Sequence, residues 1–294
     1  MTIIWPNQKR MAVCLTWDFD GESAAYVRYP KQSRKLLSEL HQRRYGPTLG
    51  MKKILNLLDK YQLSGTFYIP GYTAGVYREV TKSIREQGHA IGLHGYIHES
   101  LDDLSQKDEE DILLKSKEML HDILGYAPNI YRSPSWELNR WTPDLLIKHG
   151  ILSDSSLMDD EIPYELKTKG GSIIEIPIQW ILDDAEYWGH TRASRNKTIV
   201  DPDTVFKIWS REFDGYYDSG GCFVLTLHPF ISGRSVYMQT VEKLIKYMRQ
   251  FPDIWWTNLE EVTSYCNELR KKGELEIKES PPAEPFRYEE LFRG

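Results

Sequence analysis

Cysteine, excess positive charge and long apolar runs are all scarce in this chain. Its three cysteines, Cys14, Cys222 and Cys266, stand far apart among 294 residues, and none forms a C-x-x-C. That spacing excludes a disulfide framework and a cysteine-rich zinc site, and it fits a reducing compartment. Lys and Arg number 37 against 43 Asp and Glu, a net charge of −6. No basic surplus points to nucleic acid or to an anionic membrane. No stretch reaches the length of a membrane helix, and the opening MTIIWPNQKRM holds no apolar core of an export signal. The expectation is a cytoplasmic protein that binds neither nucleic acid nor a membrane.

What the chain does have is enough apolar material for a large core, at 40% hydrophobic and 12% aromatic residues. Short apolar runs alternate with amphipathic segments throughout. Strands are expected over 11–17, 65–70, 90–93, 130–131, 151–152, 173–176, 222–227 and 254–257. Helices are expected over 48–61, 74–87, 105–124, 142–149, 202–213, 236–250 and 258–272. Thr142 before Pro143 reads as an N-cap, and Asn258 with Glu261 as a capping box. Such alternation argues for an α/β fold on a parallel sheet. No linker interrupts it, so residues 1–273 read as a single domain, with 274–294 as a Pro- and Glu-rich tail. The basic stretch 22–47 (Arg28, Lys31, Arg34, Lys35, Arg43, Arg44) reads as an irregular insertion, either a solvated excursion or a functional or oligomer contact.

Four short clusters carry chemistry. Asp18 and Asp20 end the first apolar run at i, i+2, which places both on one side of a strand. Two adjacent carboxylates are costly unless their roles differ, one towards a metal and one towards a proton. A polar loop start is the plain alternative. His94 and His98 follow the third strand at i, i+4, a spacing that suits a metal on a helical face and equally two histidines in a polar loop. Arg132, in Tyr131-Arg132-Ser133-Pro134, is able to orient a carboxylate through a forked pair of hydrogen bonds, or to be a surface arginine in a proline turn. His228 closes the run Leu225-Thr226-Leu227 and faces either the mouth of a barrel or the core. Catalytic groups gather at the C-terminal ends of parallel barrel strands. Asp20, His94 and His98 would leave coordination positions open, as a catalytic metal requires.

In this order, the four clusters resemble the polysaccharide deacetylase superfamily, also described as the NodB-homology or carbohydrate esterase family 4 fold. The resemblance covers about residues 11–262. It implies a distorted, incomplete TIM-like (β/α) barrel of the NodB-homology type. It implies Asp18 as base, Asp20, His94 and His98 as ligands of Zn2+ or another divalent metal, Arg132 as the group orienting Asp18, and His228 as general acid. The adjacent aspartates of the extracellular polysaccharide enzymes are separated here by Phe19. That departure, with Asp154–Asp160, Trp180-Ile181-Leu182-Asp183-Asp184 and Gly233-Arg234, is similar to a branch of peptidoglycan deacetylase-like proteins, cyclic imide hydrolases and metal-independent allantoinases. The branch implies a homotetramer and a hydrolase of non-peptide C–N bonds.

Two substrate classes follow from this resemblance. One is a small cyclic imide or ureide; the other is an acetylated amino sugar or peptidoglycan fragment. An inactive binding module of the same fold is the third reading. Trp136, Trp180 and Tyr96 are candidate pocket residues, with core packing as the alternative. Asp154 is the candidate carboxylate behind His228, with Asp159 and Asp160 as competitors. Arg234 reads as a structural salt-bridge residue, with a substrate-carboxylate clamp as the alternative.

Overall fold

A computed structural model describes residues 3–33, 35, 37–191 and 197–280. Ten strands form one sheet: β1 (Met11–Asp18), β2 (Thr66–Ile69), β3 (Ala90–Leu93), β4 (Ile130–Tyr131), β5 (Ser153–Asp154), β6 (Tyr164–Lys167), β7 (Ser172–Glu175), β8 (Cys222–Leu227), β9 (Ile254–Thr257) and β10 (Ile277–Glu279). Their order is β10-β6-β7-β5-β4-β3-β2-β1-β8, with β9 also on β1. Every pairing is parallel except β6 with β7. The outermost strands β10 and β8 do not pair among the described residues, so the barrel stays open.

The centre of the sheet follows from composition. All eight residues of β1 and all six of β8 are buried. A strand covered on both faces needs a continuous apolar run, which is what 11–17 and 222–227 supply. β1 divides one edge between two partners: Met11–Cys14 pair with β9 and Thr16–Asp18 with β2. The three cysteine thiols lie free in this core. No helix among the described residues is long and apolar enough to cross a membrane.

Several elements differ from expectation. The 22–47 stretch is mostly helical, with Ser23–Arg28, Pro30–Ser33 and Leu37–Tyr45, followed by a π-helical turn at Gly46–Gly50. Its position over the site is tertiary. At Gly50 a Cβ would lie 2.3 Å from the carbonyl oxygen of Pro229, and at Gly233 one would lie 2.6 Å from the Gly50 Cα. Only glycine allows the turn to meet the loop after β8 that closely. The expected helix 74–87 is two helices, Gly71–Val76 and Arg78–Glu86. Thr142 is not a cap: its hydroxyl donates to Glu109 Oε1 at 2.5 Å, and Trp141 precedes the helix instead. Asn258 does cap, accepting the Glu261 N–H at 3.0 Å. Part of the expected tail is a strand, since Ile277–Glu279 pair with β6, while 281–294 and Arg34 lie outside the described residues.

Candidate active site

Parallel strands bring their C-terminal ends to one edge, and the four clusters meet there. Asp18 is the last residue of β1, and Asp20 lies two beyond it. His94 follows β3, Arg132 follows β4 and His228 follows β8. Asp18, Asp20, His94, His98 and Arg132 are all buried. His94 and His98 are not on a helix: a bend joins them, and His98 takes φ 64°. A non-glycine residue in the left-handed region costs roughly 1–3 kcal/mol and persists where its surroundings over-determine it. Here it turns the ring so that His98 Nε2 stands 3.8 Å from Asp20 Oδ2, while His94 Nε2 stands 3.5 Å from Asp20 Oδ1.

These three residues fit a cation. The His94 Nδ1–H donates to the Arg132 carbonyl at 2.8 Å, which leaves a lone pair on Nε2. That lone pair faces a carboxylate oxygen, and both atoms are buried without a hydrogen-bond partner. Two buried acceptors facing each other repel unless a positive ion lies between them. Ligand atoms of Asp20, His94 and His98 all lie within 4.8 Å of one another. Burial lowers His98 to about 3, against the pull of Asp20 and with the help of His94, Arg28 and Arg43. The ring is therefore neutral, the form that ligates metal. Burial alone would raise the Asp20 carboxyl, but His98, His228 and His94 hold it below its ordinary value despite the Asp18 charge.

Asp18 is held by a different partner. Arg132 Nη1 donates to Asp18 Oδ1 at 2.9 Å, and Trp136 Nε1 approaches Oδ2 at 3.4 Å. The guanidinium is fully buried. It also donates to Thr16, Thr226 and Ser155, and it lies 4.5 Å over the Tyr68 ring. Burial would raise Asp18, yet Arg132, His94 and His228 keep its carboxyl below the usual range. Ser135 and Trp136 are both left-handed, at φ 57° and 58°, which turns the indole inward. Trp180 stacks on Trp136 with ring centroids 4.3 Å apart.

His228 has two carboxylates. Its Nδ1 lies 2.7 Å from Asp184 Oδ1 and 3.5 Å from Asp183 Oδ1, and its amide N–H donates to Asp184 Oδ2 at 3.0 Å. Burial pushes the imidazole down, but Asp183 and Asp184 raise it to about 10. Burial raises Asp184 and takes Asp183 to about 7. The expected partner, Asp154, is corrected here. It sits on β5, with β4, β3, β2 and β1 between it and β8. Its Oδ1 accepts from Ser156, and it shares the core with Glu175, the residue beside it on β7. Asp159 accepts from Tyr164, and Asp160 from its own following amides and from Lys278. In the sequence, Asp183 and Asp184 stood out only as part of the stretch Trp180–Asp184 that carries the branch resemblance, with no role towards His228. What makes them partners is a single parallel bridge from Asp183 to Thr226, just before His228.

A cavity of about 440 Å³ opens over these groups. Asp18, Asp20, His98, His228, Trp136 and Trp180 line it, together with Arg28, Arg43 and Phe230, which sequence reasoning did not select. Tyr96 does not line it. The Lys115 ammonium lies 3.9 Å over the Tyr96 ring, towards the helix Gln106–Leu124. Arg234 lies 4.4 Å over Tyr45 and donates to the Phe230 and Gln42 carbonyls, so it ties the 37–50 segment to the loop after β8.

Comparison with known proteins returns a consistent set of relatives. Residues 45–152 match the family model described as polysaccharide deacetylase. The chain is 32% identical over 241 residues to the peptidoglycan deacetylase of Helicobacter pylori, covering 73% of this chain and 82% of that one. The crystal structure of a putative polysaccharide deacetylase from Mycobacterium smegmatis superposes with a TM-score of 0.90 at 33% identity, covering 97% and 98% of the two chains. The PuuE allantoinase structure shares the fold at a TM-score of 0.81 and 18% identity, covering 91% and 94%.

Proposed function

The chain belongs to the polysaccharide deacetylase family, hydrolases of carbon–nitrogen bonds other than peptide bonds, and from that premise we propose a metal-dependent hydrolase of a small cyclic imide or ureide. One observation carries the reading. An ionised carboxylate held by arginine and an imidazolium held by two carboxylates flank the same Asp–His–His group in one cavity of about 440 Å³. Helices of the 23–45 segment wall that cavity, which favours a compact substrate over a polymer.

Asp20, His94 and His98 would hold the metal, and one carboxylate with two imidazoles suits zinc. When bound, such an ion would polarise a carbonyl and bring the pKa of a bound water down to about 7. Asp18 accepts a proton at Oδ2, because Oδ1 is committed to Arg132. Arg132 keeps that carboxylate ionised and aimed. His228 keeps Nδ1 on Asp184, so Nε2 is the atom that delivers a proton to the departing nitrogen. Trp136 and Trp180 offer a stacked aromatic wall for a flat ring.

A second reading, removal of an acetyl group from a single amino-sugar unit, is favoured by the peptidoglycan deacetylase relative. Both readings are of a cytoplasmic homotetramer. The metal-loaded enzyme is expected to open succinimide or hydantoin. If it instead releases acetate from N-acetylglucosamine oligomers and leaves the rings intact, the second reading replaces the first. Turnover of neither class sinks both.

A further inference from the structure

We propose that the cavity recognises a carboxylate on its substrate through the guanidinium of Arg43, so that the substrate is a small acid carrying the scissile amide. This rests on the hydrolase reading above and narrows its substrate class.

Arg43 stands on the helix Leu37–Tyr45 and is 2% exposed, yet it lines the cavity. Its Nε donates to Glu39 Oε1 at 3.0 Å, one helical turn back. Among the described residues that is its hydrogen-bond acceptor, and Nη1 and Nη2 have none. The plane rests on the Phe230 ring, 4.8 Å from the centroid, and Phe230 in turn lies 6.1 Å from the His228 ring. The face of the guanidinium is thereby covered while the forked edge stays available. The glycine-to-glycine approach of the 46–50 turn to the loop after β8 sets this distance.

Other charged groups around the cavity are paired: Asp18 with Arg132, and His228 with Asp183 and Asp184. Lys197 donates to the Ala185 carbonyl at 2.8 Å and to Glu186 at 3.3 Å. Arg28 adds a second guanidinium, whose described acceptor is the neutral Ser135 hydroxyl at 3.2 Å. Glu39 pairs with the Arg43 guanidinium at Nε only, and a substrate carboxylate is the planar partner that fits the remaining Nη1 and Nη2 edge. At about 440 Å³ the cavity admits that acid only as part of a compact molecule.

The test uses two matched pairs of probes: hydantoin-5-acetic acid against hydantoin, and N-acetylmuramic acid against N-acetylglucosamine. Affinities are measured by calorimetry on the metal-loaded full chain, as wild type, Arg43→Gln and Arg43→Lys. In at least one pair the acid is expected to bind wild type tenfold or more tighter than its neutral partner, on the order of one charge-assisted hydrogen bond. That ratio should fall to about twofold in Arg43→Gln and stay intermediate in Arg43→Lys, which keeps the charge and loses the fork. Equal affinity within both pairs for wild type overturns the proposal. So does a ratio that survives in Arg43→Gln. Should Arg43→Gln not fold, the wild-type ratio and Arg43→Lys decide. Failure of the hydrolase reading looks different: the acids bind preferentially but no probe is turned over.

Discussion

Two buried clusters in this site are made of the same residue types and do opposite things. Around Asp20 there are two imidazoles for one carboxylate; around His228 there are two carboxylates for one imidazole. In the first, burial wins and His98 falls to about 3, so that ring presents a lone pair. In the second, Asp183 and Asp184 overcome burial and His228 rises to about 10, so the ring keeps its proton. A histidine's role in this site is therefore set by the count of charges around it, with burial common to both. The nearby guanidiniums of Arg28 and Arg43 widen the contrast by adding positive charge on the His98 side.

The sharpest way to break the contrast is to empty the first cluster. His94→Ala removes one of the two partnerless acceptors, and metal content by elemental analysis should fall to background, with activity reduced by about 10³-fold or more. Asp18→Asn should lower activity by roughly 10²–10⁴-fold while metal stays bound, as the base role proposed for Asp18 requires. A His94→Ala protein with full metal content would void the ligand assignment. Metal loss in Asp18→Asn would merge the two jobs assigned to the aspartates.

The second cluster can be tipped towards the first. Asp184→Asn takes away the nearer of the two carboxylates, and His228 should move from about 10 back towards its ordinary 6.5. In the proposed mechanism the acid form of His228 is the active one, so activity is lost as pH rises through that value. The alkaline limb of the pH profile of kcat/KM should therefore shift to lower pH, with a loss of about tenfold or more at pH 9. An unmoved alkaline limb would show that the imidazolium is not the acid.

The smallest effect concerns the wall shared by both clusters. Trp180 is 46% exposed and stacks on the buried Trp136. Trp180→Ala should remove a contact worth about 0.5–1.5 kcal/mol and raise KM by roughly two- to tenfold, with little change in kcat. A fall in kcat alone would mean that the stack aims Trp136 at Asp18 and does not hold substrate.

Much of this was legible in the chain itself. The strands β1 and β8 are continuous apolar runs, and a run buried on both faces needs no partner information to be recognised. The six residues Asp18, Asp20, His94, His98, Arg132 and His228 each stand directly after such a run or within five residues of it, and a parallel sheet must gather those positions at one edge. β6 and β10 were missed because Tyr164–Lys167 and Ile277–Glu279 are short and partly exposed, so neither carries a distinct period.

What the sequence alone determined is which chemical groups the site contains and at which end of the sheet they stand, because strand direction and side-chain alternation are local properties. Which carboxylate serves which histidine was a tertiary decision. Asp184 reaches His228 across 44 residues through the bridge from Asp183 to Thr226, and Asp154, closer in kind to the expectation, is held by Ser156 and Glu175 instead. The placement of Arg43 was tertiary as well, since it depends on two glycines 183 residues apart meeting at the loop after β8. Contacts of that range carry no local signal, because nothing in either segment shows its partner before the chain folds.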